Sequence, residues 1–137
     1  MEHKIVIYCD GGSRGNPGRA AIGVIVGDKG YGETIGVATN NVAEYSAVIF
    51  ALKKAKLLLG SARAGATDVE VRMDSELLQK QLTEQYKVKN EELGKLFVEV
   101  WNLKQDFRSV TFVHIPRKHN AEADALVNRA LDRVARE

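Results

Sequence analysis

Apolar positions recur in two rhythms along this chain, every second residue in some stretches and every third or fourth in others, and the switches between them outline its elements. Lys4 to Cys9 (KIVIYC) is rich in β-branched and aromatic residues and reads as a strand. It stops at Asp10-Gly11-Gly12. Asn16-Pro17-Gly18 then predicts a tight turn of type II, because proline presets φ and glycine accepts a positive one. Ala20 to Val26 and Tyr31 to Ala38 are the next strands, joined by a hairpin turn at Gly27-Asp28-Lys29-Gly30. Strands joined this closely form an antiparallel meander.

Helical spacing follows. The cap-like cluster Thr39-Asn40-Asn41 opens a helix over Val42 to Leu59 that ends at Gly60. Its predicted buried face is Ala43, Ala47, Val48, Ala51, Leu52, Ala55 and Leu58. Ser61 to Thr67 reads as a loop and Asp68 to Met73 as a strand ending at Asp74. Ser75 to Glu84 and Glu91 to Lys104 read as helices, and Ser109 to Ile115 as a strand broken by Pro116. Asn120 to Arg136 closes the chain as a helix with Ala121, Ala125, Leu126, Ala130, Leu131 and Val134 on one stripe. Strands separated by helices favour parallel crossovers. The expected fold is α/β: a mixed five-stranded sheet, three antiparallel strands and then two parallel ones, flanked by helices in a single domain over 1–137.

Composition narrows the function classes. A chain of 137 residues with 45% apolar and 28% charged residues can build a core and is not disordered. The single cysteine, Cys9, excludes an intramolecular disulfide and a Cys-ligated structural zinc site, and strand alternation turns it into the core. No apolar run nears the roughly 18 residues of a membrane span. Met1 to Lys4 carry no signal-peptide pattern, so a soluble, cytoplasmic, monomeric protein with no membrane or obligate protein partner is expected. Twenty basic against eighteen acidic residues give +2, a total that can hide a local basic groove beside a local acidic site. Lys53-Lys54-Lys56 reads as a solvated helix face and Trp101 as packing.

The acids carry the chemistry. Asp10 and Asp74 each end a strand, and two such acids on neighbouring strands point into one crevice, where open sheets place ligands. Glu44 and Asp124 sit in first helical turns and reach that crevice if their helices start beside it. Taken singly, each acid is equally a helix cap or a solvated strand end. Gathered without cationic partners they would repel one another, and a hard divalent cation, Mg²⁺ or Mn²⁺, would resolve that. Two such ions clamp the attacking and leaving oxygens of a phosphodiester.

Four local sequences then point to a family. Tyr8-Cys9-Asp10-Gly11-Gly12-Ser13-Arg14-Gly15-Asn16-Pro17-Gly18, Thr39-Asn40-Asn41-Val42-Ala43-Glu44, Met73-Asp74-Ser75 and Asn120-Ala121-Glu122-Ala123-Asp124-Ala125-Leu126 resemble, in order, the motifs of type 1 ribonuclease H. The resemblance implies a two-metal endonuclease that cuts the RNA strand of RNA–DNA hybrids to 5′-phosphate and 3′-hydroxyl ends. Its catalytic, metal-holding carboxylates carry over to Asp10, Glu44, Asp74 and Asp124. Asp10 would bridge two ions, Glu44 and Asp74 would hold the leaving-group side, and Asp124 the water side.

Substrate contacts are implied for Gly11, Gly12, Ser13, Asn16, Thr39, Asn40 and Asn41, with the glycines leaving room for the RNA backbone near a 2′-hydroxyl. The family's proton-shuttling histidine matches His114 by spacing and His119 by its place in the loop. Without either, Arg117 or Lys118 is the nearest basic group. Where some relatives insert a basic, tryptophan-rich helix, Tyr86 to Asn90 is short and offers only Lys87 and Lys89 for phosphate contacts. The alternatives are an inactive or weakly active binding module of the same fold, and a nuclease preferring double-stranded RNA or junctions.

Overall fold

A computed structural model describes residues 3–135. Strands β1 (His3–Gly15), β2 (Gly18–Val26) and β3 (Lys29–Ala38) form the meander, followed by α1 (Asn40–Leu59) and a short α2 (Ser61–Ala64). Then come β4 (Thr67–Met73), α3 (Glu76–Leu82), α4 (Glu91–Lys104), β5 (Ser109–His114), a 3₁₀ turn at Arg117–Asn120, and α5 (Ala121–Ala135). The expected end of the last helix at Arg136 lies outside the described residues. The sheet is five-stranded in the order β3-β2-β1-β4-β5. β1–β2 and β2–β3 pair antiparallel, whereas β1–β4 and β4–β5 pair parallel, as the helical crossovers require.

Three local expectations give way, the first at Ser61 to Thr67, read as a loop, where Ser61–Ala64 forms α2 and Thr67 opens β4. Gly11 to Gly15 is not a loop: β1 runs on and pairs with β2 as far as Gly15–Gly18, so the ladder outlasts the hydrophobic pattern. The turn there carries a cis Asn16–Pro17 bond, which places proline at the third turn position rather than in a type II turn.

The main core lies on one face of the sheet. Ile7, Cys9, Ile22, Val24, Val69, Val71 and Met73 face α1, which packs through Tyr45, Val48 and Leu52. α4 covers the outer side of α1, so α1 is buried on more sides than its predicted stripe: Tyr45 and Ile49 are inside, and Leu58 is exposed. The lysine face is also engaged rather than simply solvated. Lys53 pairs with Glu99 at 3.0 Å and Lys56 with Asp106 at 3.2 Å, while Lys54 sits over the Tyr31 and Phe50 rings. Trp101, read as packing, is half exposed and lies beside Leu82, Phe97 and Val100.

On the opposite face α5 packs on β2 and β3 through Val127, Ala130, Leu131 and Ala21. Gly23 decides this approach, because a Cβ there would overlap the carbonyl oxygen of Ala123. The buried stripe is therefore Ala123, Val127, Ala130 and Leu131, rotated from the predicted one, with Ala121 exposed. No helix among the described residues is long and apolar enough to cross a membrane.

Candidate active site

Parallel pairing of β1 with β4 ends at Cys9 and Met73, so Asp10 and Asp74 are the next residues on neighbouring strands. Alternation sends Cys9 and Met73 into the core beneath α1, and the two aspartates to the other face. α5 lies on that face and presents Asp124 from its first turn. Asp10, Asp74, Asp124 and Arg117 line one cleft of about 200 Å³, together with Gly11, Gly12 and Asn40. Glu44, expected in the first turn of its helix, comes from the second because α1 begins at Asn40, and it meets Asp10, Asp74 and Ser75 in an adjoining narrow recess. Its approach depends on Gly11, where a Cβ would overlap the backbone of Ala43.

The electrostatics follow from this convergence. Burial first, then the charges of Asp74 and Asp124 and a hydrogen bond with Asp124, push the Asp10 carboxyl up to about 8, against the N–H that Gly11 donates to it at 3.0 Å. Burial pushes Glu44 up to about 7; a hydrogen bond from Ser75 and the charge of Arg117 oppose this, and Asp74 adds to it. Ser75 also accepts from Leu78 N–H at 3.2 Å as the cap of α3, so the group beside Glu44 is held in place. None of the ion pairs found among the described residues involves these four acids; Arg14, which lines the cleft, pairs instead with Asp132 at 2.7 Å.

Among the described residues, no three His, Cys, Asp or Glu side chains stand close enough together to form a finished metal cage. The donor set nevertheless suits a hard cation. Its acids offer carboxylate oxygens and no imidazole, and the Cys9 thiol that borders the recess is turned toward Ala47 O at 3.9 Å in the core.

Asn120 is a feature that sequence reasoning met only as part of a motif. It is 1% exposed, and its Nδ2 donates to Cys9 O at 2.8 Å and to Asp74 Oδ2 at 3.3 Å. The available signal was its spacing, four residues ahead of Asp124, which looks the same as an ordinary helix start.

The residues expected to meet substrate divide. Gly12 and Ser13 line the cleft on β1. Asn40 Oδ1 accepts from Ser13 N at 2.8 Å and Ser13 Oγ at 3.2 Å, and Asn16 Oδ1 accepts from Asn40 N at 3.1 Å, tying the hairpin end to the start of α1. Thr39 is the N-cap, its Oγ1 accepting from Val42 N at 3.2 Å, and Asn41 is exposed beside it. The room left by Gly11 is filled by α1 rather than open to a ligand. Lys87 and Lys89 lie exposed between α3 and α4 and are not among the residues lining the cleft. His114 is exposed at the end of β5, and His119 lines a separate cavity of about 510 Å³ with Tyr8, Ile25 and Asp28. Neither histidine lines the cleft that holds the aspartates, whereas Arg117 does.

Comparison with known proteins adds an independent line. A family model described as reverse transcriptase-like matches residues 8–130. A ribonuclease HI of Halobacterium salinarum is 44% identical over 135 residues, covering 94% of this chain and 65% of its own length. A Mycobacterium tuberculosis protein named as bifunctional is 41% identical over 139 residues, covering 96% of this chain. The chain spans only 36% of that relative's length. Among solved structures, a ribonuclease H1 isolated from compost superposes with a TM-score of 0.90 at 45% identity, over 97% of this chain and 99% of that one. The same compost protein in complex with an RNA/DNA hybrid matches at 44% identity and a TM-score of 0.90, over 96% of this chain and 99% of that one.

Proposed function

This chain belongs to the type 1 ribonuclease H family, and on that footing we propose that it is a metal-dependent endoribonuclease hydrolysing the RNA strand of RNA–DNA hybrids to 5′-phosphate and 3′-hydroxyl ends. The observation that carries the proposal is the meeting of Asp10, Asp74 and Asp124 in one cleft, with Glu44 adjoining. A binding module has no need of so many gathered carboxyl groups, whose ionised forms oppose an approaching phosphodiester unless cations intervene.

Asp10 would bridge two Mg²⁺ or Mn²⁺ ions, with Glu44 and Asp74 holding the leaving-group side and Asp124 the water side. When bound, the two ions supply the charge that activates water and stabilises the leaving oxygen. The protein's own groups do the rest. Ser13, Asn16 and Asn40 hold the hairpin end against α1, and because both asparagines use their Oδ1 atoms on protein N–H groups, their Nδ2 groups remain to donate to phosphate or 2′-hydroxyl oxygens. Arg14 and Arg117 both line the cleft; Arg14 is paired with Asp132, and Arg117 would serve as charge partner to the leaving phosphate. A monomer acting in the cytoplasm belongs to the same proposal.

The test is cleavage of labelled RNA–DNA hybrid, double-stranded RNA and double-stranded DNA in parallel, with and without Mg²⁺. Hybrid cleavage dependent on Mg²⁺, with DNA untouched, is the expected result. Preference for double-stranded RNA, or binding without cleavage, would overturn the substrate or the activity respectively.

A further inference from the structure

We infer that Asn120 is a positioning residue that sets the three aspartates of the cleft relative to one another, an inference that rests on the proposed hydrolase reading. Three connections meet at this one residue, two through its side chain and one through its backbone. Its Nδ2 donates to the carbonyl of Cys9, the residue immediately before Asp10, at 2.8 Å. The same Nδ2 donates to the Asp74 carboxylate at 3.3 Å, which steadies that group against the like charge of Asp10. The backbone of Asn120 leads directly into α5, whose first turn carries Asp124.

The other half of the amide shows why this is more than a fold contact. Asn120 Oδ1 is buried and has no hydrogen-bond partner among the described residues. A buried acceptor without a partner works against folding and offsets part of what the Nδ2 bond to the Cys9 carbonyl contributes at this 1%-exposed position. What asparagine adds is an uncharged NH₂ that reaches a strand carbonyl and a carboxylate at once. Aspartate would bring another negative charge into the cluster, and serine is shorter by one bond. The residue therefore serves the arrangement of the acids at some expense to the fold, and groups that orient metal-holding side chains typically matter tenfold to a hundredfold.

The experiment compares wild type, Asn120→Ala, Asn120→Leu and Asp10→Asn in calorimetric titration with Mn²⁺ alone, thermal melting, and hybrid kinetics. Leucine has the branching of asparagine without its polar atoms. The expected result is folded variants at position 120 that bind Mn²⁺ about tenfold more weakly. Their kcat should fall about tenfold or more while KM for the hybrid stays within about twofold. Excess Mn²⁺ should recover part of the loss. Mn²⁺ affinity and kcat within twofold of wild type in either folded variant would overturn the inference. Failure of both variants to fold would also overturn it, since Asn120 would then be a residue of the fold. A wild type that neither binds Mn²⁺ nor cleaves hybrid would instead overturn the hydrolase reading and this inference with it.

Discussion

Gly11 touches the backbone of Ala43 so closely that a single methyl group on the glycine would overlap the Ala43 carbonyl oxygen and crowd the N–H of Glu44. This contact seats α1 on the strand immediately after Asp10 and brings Glu44 to the recess shared with Asp74. Gly11→Ala should therefore cost about 1–3 kcal/mol in chemical denaturation by overpacking. Gly12→Ala should cost much less, because a Cβ there meets only Asn40 and Val127 at 3.8 Å. Equal costs at the two positions would contradict this reading of the glycine pair.

Asp10→Asn removes charge but little volume. Hybrid cleavage should fall at least about a hundredfold, since loss of groups that merely orient metal ligands already costs tenfold to a hundredfold. Metal-free melting temperature should stay the same or rise, because the variant relieves repulsion from Asp74 and Asp124. Near-wild-type cleavage by the variant would refute the assignment of Asp10.

The metal-free protein should lose stability as pH rises from about 4 to about 8. Asp10 and Glu44 are pushed up, to about 8 and about 7, from unfolded values near 4. In this window the folded state keeps protons that the unfolded state has released, so the stabilisation they carry is complete below pH 4 and fades as pH passes the folded values. Asp68, held low by hydrogen bonds from Arg108 and Ser109, and Glu70, held low by Arg72, change stability only in acid and do not obscure the trend. Melting curves at pH 5 and pH 8.5 check this. Asp10→Asn should flatten the slope and added Mg²⁺ should oppose it, and a slope unaffected by either would contradict the account.

Arg117, and neither histidine, lines the acidic cleft. Arg117→Ala should slow turnover about tenfold or more, within the range of charge-stabilising groups. His114→Ala and His119→Ala should each stay within about threefold of wild type, an effect too small for a proton-transferring group. Single-turnover rates on hybrid separate these outcomes, and a strong loss in either histidine variant would restore that residue to the site.

Much of this arrangement was legible in the residues themselves. Alternation in Asp68 to Met73 placed the end of β4 and with it Asp74, whereas Asp10, expected at a strand end, lies within β1 and only its pairing with β4 stops there. Other features depend on partners far away in the chain. The extension of β1 through Gly11 to Gly15 has no hydrophobic signature, because its pairing with β2 supplies the order. The buried stripe of α5 could not be read from alanine-rich sequence, since the closeness allowed by Gly23, rather than side-chain size, decides which alanines are covered. Asn120 looks in sequence like a cap and proves to be a bridge between β1 and Asp74, a role set by tertiary contact alone. The two histidines were ambiguous because spacing along a loop does not say which way it turns.

The most direct measurement is anomalous diffraction from crystals of this protein soaked in Mn²⁺. The account predicts density bonded to Asp10 and shared with Asp74, Glu44 or Asp124, and its disappearance in Asp10→Asn. Manganese bound elsewhere, or none at concentrations that support hybrid cleavage, would contradict it.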